Sequence, residues 1–170
     1  VFKSERFGNI VVSMKGTVIA TWGKSYVRAK RSVDGGKTWG PEIVIAKPGF
    51  QPGGVTVNEA NGDIIAFVED RHPPAPIHVY VSSDDGKSWK KVPTEIKPDS
   101  KGNAPSMHMN EHGITLRHGK HKGRLIRPSR WYAGQNHRSK WPEHYTNAIY
   151  SDDGGKTWQS YQHTINERST

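Results

Sequence analysis

Imidazoles, carboxylates and guanidinium groups gather in a few short stretches of this sequence. Met107-His108-Met109-Asn110-Glu111-His112 carries two imidazoles and a carboxylate, and the segment with His137, Arg138, His144 and Tyr145 adds two more imidazoles. Such groups transfer protons near neutral pH or hold a metal. His108 and His112 lie four apart, a spacing that suits a metal mainly on a helix; no helix is indicated there, so neither a metal nor another cofactor is expected. Glu69-Asp70-Arg71-His72 offers an acid with a raised pKa at Asp70 or Glu69. Arg71 alongside favours ionisation, which makes a salt bridge the competing reading. Arg124, Arg127 and Arg130 run through a strand and past Pro128, so with a period of 2 two of them share a face. Arg127 and Arg130 flank the end nearer a long loop, placed to hold a carboxylate or hydroxyls. Trp131, Tyr132 and Trp141 either present flat faces to sugar rings or pack the loop onto the strand. Asp70 and His108 are thus the candidate catalytic groups, with Arg71, His72, Arg127, Arg130, Trp131 and His144 as candidate substrate contacts.

The elements that must position these groups are punctuated by a repeated octamer. Ser32-Val33-Asp34-Gly35-Gly36-Lys37-Thr38-Trp39, Ser82-Ser83-Asp84-Asp85-Gly86-Lys87-Ser88-Trp89 and Ser151-Asp152-Asp153-Gly154-Gly155-Lys156-Thr157-Trp158 share the template Ser-x-Asp-x-Gly-x-Thr/Ser-Trp. The Ser and Asp side chains can bond backbone N–H groups of a tight turn, the Gly supplies φ > 0, and the Trp leaves as an apolar anchor. A strand-like run precedes each octamer, for example Ile77-His78-Val79-Tyr80-Val81, so each reads as a hairpin corner and the repeat unit as a small antiparallel sheet. Asn61-Gly62 adds a two-residue hairpin signal within the second unit. The octamers start 50 and then 69 residues apart; the surplus lies in residues 97–112, which carry His108 and His112, and 131–145, dense in His, Arg, Trp and Tyr.

Composition narrows the partners. The 25 Lys and Arg against 16 Asp and Glu leave a formal charge of +9, which draws anionic partners. No zinc spacing, basic helix or RRM-type signature is visible, so nucleic acid is not expected. The absence of cysteine excludes disulfides and thiol chemistry, and no apolar run approaches a membrane span.

The octamers resemble the Asp-boxes of the sialidase (neuraminidase) superfamily of β-propellers. The resemblance implies an all-β propeller of four-stranded antiparallel blades, with blade one at about 6–47, blade two at about 51–96 and blade three at about 113–165. Propellers of that family close with six blades, so residues 1–170 correspond to a partial propeller. Its open faces call for the remaining half or a second subunit. The family's octamers lie on the face away from its active site, and they identify the fold without carrying chemistry.

The resemblance also assigns roles. The family's first blade opens with Arg-Ile-Pro, whose Arg binds the substrate carboxylate; Arg6-Phe7-Gly8 stands at the matching place, making Arg6 the candidate carboxylate fork. The family's acid/base Asp lies between the second and third strands of blade one, where this sequence has only Gly23-Lys24-Ser25. Its Tyr nucleophile, the Glu partner and two further Arg residues come from later blades, beyond Thr170. The implied function is a sialidase-like exo-glycosidase releasing terminal acidic sugars from glycans, secreted or periplasmic. The alternative is a glycan-binding propeller or a uronate-cleaving lyase that uses His with Tyr or Arg. Strand direction places the candidate residues on one rim, with Asp34, Asp84 and Asp153 on the other.

Overall fold

Ile64-Ile65-Ala66-Phe67-Val68 is apolar at every position, so a strand built from it must be covered on both faces. That is its situation in the computed structural model, which describes residues 8–50, 53–108, 112–133 and 138–161. Ile64, Ala66 and Val68 face one core with Ile19, Val27, Ala29 and Ile45, while Ile65 and Phe67 face a second with Leu125, Ile149 and Trp158. The second sheet is therefore the middle layer of three.

The first sheet has the order β1 (Asn9–Val12), β2 (Val18–Trp22), β3 (Val27–Ser32), β4 (Ile43–Ala46), and the second β5 (Thr56–Val57), β6 (Ile64–Glu69), β7 (Ile77–Ser82), β8 (Lys90–Val92). Both are antiparallel throughout. β9 (Glu95–Ile96) leaves the second sheet and runs parallel to the outer strand of the third. That sheet contains β10 (Ile114–Thr115), β11 (Leu125–Trp131), β12 (Tyr145–Ser151) and β13 (Thr157–Ser160). A 3-10 helix, Arg138–Glu143, precedes β12. The inner strands β1, β5 and β10 lie side by side, with a parallel bridge between Thr56 and Gly113. Among the described residues no helix is long and apolar enough to cross a membrane.

The octamers fold as their residue types require. Ser32, Ser82 and Ser151 each accept the N–H of the residue four on, Gly36, Gly86 and Gly155, at 2.8 Å. Asp34, Asp84 and Asp153 each accept the N–H of residue 38, 88 or 157 at 2.9 Å. Burial of the Asp84 carboxyl raises its pKa, but the bonds from Ser88 and Ser82 outweigh this and bring it to about 2. The Asn61-Gly62 hairpin is longer than the two residues expected, because Asn58 closes on Asp63 through its N–H at 2.8 Å and accepts the Ala60 N–H at 3.0 Å through its side chain. Gly62 takes the left-handed conformation at φ 82°.

Pro128 sits inside β11 opposite Ala148. β10 pairs only with Leu125 and Ile126, so no ladder bond is required of the missing N–H.

The second octamer also clamps the first sheet. Asp85, at φ 67°, accepts from Ser13 Oγ at 2.5 Å, Thr17 Oγ1 at 2.6 Å and Arg31 Nη2 at 2.7 Å, and its own carbonyl accepts from Arg31 Nε at 2.6 Å. Burial raises the carboxyl pKa, and these donors more than reverse it. Asp85→Ala is expected to cost about 2 kcal/mol, the worth of a few part-buried hydrogen bonds to a charged group, read as a lowered urea midpoint at constant slope. An unchanged midpoint would mean that water replaces the carboxylate without loss.

Candidate active site

Strand direction puts the octamers, between β3 and β4, β7 and β8, and β12 and β13, at one end of each sheet. The β6–β7 loop and, between β11 and β12, residues 132–133 and 138–144 lie at the other end, and there four segments meet. Phe50 enters through an antiparallel bridge to Glu69, donating its N–H to the Glu69 carbonyl at 2.8 Å. Ser106 pairs with Arg130 through both backbone bonds, at 2.6 and 3.0 Å, which seats residues 106–108 beside the end of β11.

These anchors bring rings together. His108, 2% exposed, stacks on Phe50 at 5.1 Å and meets His72 at 5.2 Å and Tyr132 at 5.8 Å. Tyr132 in turn meets His72 at 5.6 Å and His144 at 4.8 Å. Arg130 Nη1 donates to Tyr132 Oη at 3.3 Å, and Arg130 Nε, buried, has no hydrogen-bond partner among the described residues. Burial raises the Tyr132 pKa against the pull of Arg130. The result is three imidazoles and a guanidinium gathered around one phenol, Tyr132, a set suited to proton transfer beside a bound anion.

Beneath this cluster two buried ionisable side chains, Glu69 and Arg127, interact through their charges. Glu69, 2% exposed, is pushed up to about 7 by burial, against hydrogen bonds from Ser106 and the N–H groups of Met107 and His108 and the charge of Arg127. Arg127, 1% exposed, is pushed down to about 9 by burial and held up by Glu69; its guanidinium lies 4.6 Å over the Phe67 ring.

A second aromatic patch closes the rim. Trp131 and Tyr145, the last pair of β11 and β12, have ring centroids 5.2 Å apart. Tyr145 Oη donates to Asp99 and accepts from Asn103 Nδ2 at 2.8 Å. Burial and then Asp99 push its pKa to about 12.

The candidates therefore separate. His72, His108, His144 and Arg130 come together, and Trp131 stands at the same rim. Asp70 turns aside to His78 at 3.1 Å, and Arg71 is exposed. Arg127, read as a substrate contact, faces the interior between two sheets. Arg124 is held at the octamer end by Asp152, at 2.7 and 2.8 Å. Arg6, Glu111 and His137 lie outside the described residues. Phe50 and Ser106 were not singled out in the sequence, and no local pattern marks them, since their roles come from backbone bridges to distant strands. Among the described residues no group of three metal-ligating side chains could hold an ion.

Stacked antiparallel sheets closed by a Ser-Asp-Gly-Trp corner make this a β-propeller of the sialidase superfamily. The chain belongs to the Sortilin-Vps10 family, whose model, described as sortilin, neurotensin receptor 3, matches residues 28–169. It is 29% identical over 180 residues to a sialidase of Micromonospora viridifaciens, a match covering 90% of this chain and 27% of the relative. Its fold is similar to that of Trypanosoma rangeli sialidase bound to the inhibitor DANA, with 21% identity, a TM-score of 0.60, and coverage of 98% of this chain and 32% of the other. It is also similar to a GH43 β-1,3-galactosidase bound to galactodeoxynojirimycin, with 11% identity, a TM-score of 0.65, and coverage of 94% and 46%. The chain spans less than half the length of each of these relatives.

Proposed function

We propose that the complete protein is an exo-glycosidase of the sialidase type that removes terminal acidic sugars from glycans outside the cytoplasm. The observation that carries this reading is Arg130, a part-buried guanidinium whose Nε has no hydrogen-bond partner among the described residues, held against Tyr132, which in turn meets three imidazoles at the rim opposite the octamers. A planar fork in that setting suits a sugar carboxylate, and Trp131 with Tyr145 supplies flat surface for a ring. The sialidase relative supports the same class.

The remaining chemistry comes from further blades or a second subunit, with residues 1–170 forming blades at about 6–47, 51–96 and 113–165. Arg6 then contributes to the carboxylate site, and Asp70 joins the proton transfer only on release from His78. The outward Ile10 and Val12 on β1 and Ile114 on β10, each more than half exposed, are consistent with such cover.

The full-length protein is expected to release sialic acid from an aryl sialoside, and Arg130→Ala to raise KM about 10- to 100-fold, the loss of a hydrogen-bonded charge contact. An unchanged KM would remove Arg130 from the site. One feature favours a second reading, a uronate lyase: Tyr132 Oη against Arg130, flanked by His72, His108 and His144, is a base set beside a carboxylate neutraliser. An ultraviolet-absorbing unsaturated product from uronate glycans, with no release from the sialoside, would decide for it.

A further inference from the structure

We propose that the tip of the β10–β11 hairpin is a docking site for a sulfated glycan chain, at the end of the molecule opposite the ring cluster. Arg117, His118, Lys120, His121, Lys122 and Arg124 fall within eight residues that contain no Asp or Glu. A slack loop of that composition would be ordinary solvated surface, but this one is held in shape. Leu116 and Gly123 donate their N–H groups across the hairpin base, to the carbonyls of Arg124 and Leu116, each at 2.8 Å. Within the tip Lys122 donates to the Gly119 carbonyl at 3.1 Å and Arg124 to that of His121 at 3.0 Å. Gly119 and Gly123 take positive φ, 76° and 91°, which lets the chain turn twice within the tip.

The two arginines brace this tip from either side. Arg117 reaches Glu59, in the turn between β5 and β6, through Nε at 2.9 Å and Nη2 at 2.8 Å, and Arg124 is held by Asp152 in the third octamer. The lysines between them are exposed, and neither Lys120 nor Lys122 enters an ion pair among the described residues. Strand direction puts the hairpin at the octamer end, where each octamer adds one exposed lysine, Lys37, Lys87 and Lys156. What the tip offers a partner is therefore ammonium groups. An ammonium is a compact point charge that answers charge density, whereas the guanidinium forks that match a planar carboxylate are already occupied. Residues 117–123 carry no Trp, Tyr or Phe on which a base could stack and no apolar side chain to enter a bilayer. A densely sulfated chain requires neither.

The proposal is independent of the glycosidase reading, and its test needs no turnover. A fluorescently labelled heparin oligosaccharide is titrated with the full-length protein at low ionic strength and followed by anisotropy. Lys120→Gln with Lys122→Gln is expected to raise Kd about 10-fold, the loss of two surface ion contacts, and Lys120→Arg with Lys122→Arg to stay within about 2-fold of wild type. Lys24→Gln with Lys47→Gln makes the same change in net charge at the other end of the first sheet, where both lysines are exposed, and is expected to leave Kd within about 2-fold. Added salt should weaken wild-type binding, because exposed charges are screened. Absence of heparin binding by the wild type would overturn the proposal, as would an unchanged Kd in Lys120→Gln with Lys122→Gln. Equal losses in the two glutamine pairs would assign binding to net charge and overturn it too. Tighter binding to duplex DNA, to phosphatidylserine vesicles or to a polygalacturonate oligosaccharide than to heparin would overturn it in favour of nucleic acid, membrane or carboxylate.

Discussion

Arg127→Ala is expected to lower the free energy of unfolding by about 3–5 kcal/mol at pH 8, as leaving a buried carboxylate without its opposing charge does. The guanidinium is fully enclosed between β6 and β11 and is the cation that offsets the buried Glu69 carboxylate. The pH dependence identifies the cause. Burial raises Glu69 from 4.5 to about 7 in the folded state, so the folded protein binds its proton more tightly than the unfolded chain does. Stability from this group is fully present below the unfolded value and is lost as pH rises through about 7. At pH 5 Glu69 is therefore protonated, and Arg127→Ala no longer leaves a charged Glu69 carboxylate. The loss should accordingly be smaller at pH 5 than at pH 8. The double variant Glu69→Gln with Arg127→Met should return to within about 1 kcal/mol of wild type, because an isosteric neutral pair avoids both desolvation costs. Urea unfolding at the two pH values measures this, and equal losses at both would show that the pair is not the source.

Trp158→Ala is expected to cost about 3–5 kcal/mol, the range for truncating a large buried aromatic. The same change at Trp39 should cost about 1 kcal/mol. Both residues end the same octamer and both donate Nε1–H to a Gly carbonyl at 3.0 Å, Trp158 to Gly155 and Trp39 to Gly36. Their surroundings differ. Trp158 is 0% exposed, lies edge-on to Phe67 at 5.0 Å and sits in the core between the second and third sheets. Its octamer is pressed so close to β6 that a Cβ on Gly155 would come 2.7 Å from Ile65 Cδ1. Trp39 is only half-buried, lining a surface groove with Val33, Pro41 and Ile43. Melting curves for the two variants compare position with motif; equal losses would mean that the turn, and not the core, sets the role of the Trp.

Much of the architecture is legible in the residues because its determinants are local. Ser32, Asp34 and Gly36 and their counterparts close their turns within eight residues, so their pattern survives in any context. Ile64 to Val68 announce a strand covered on both faces by composition alone. Three such corners carry the resemblance to the superfamily, and strand direction then separates an octamer end from a loop end.

The site itself belongs to the tertiary structure. Side chains alternate along β11, so Arg124 and Arg130 share a face and Arg127 takes the other; proximity in sequence to the long loop had pointed to Arg127 and Arg130 together. Only the stacking of β6 on β11 shows that the face of Arg127 is the interior and that Glu69 waits there. Phe50, His72, His108 and Tyr132 come from four segments, and their meeting depends on two isolated bridges, Phe50 with Glu69 and Ser106 with Arg130. Turn chemistry is a property of neighbouring residues and can be read along the chain. Convergence of distant side chains is a property of sheet packing, which the chain encodes only as a whole.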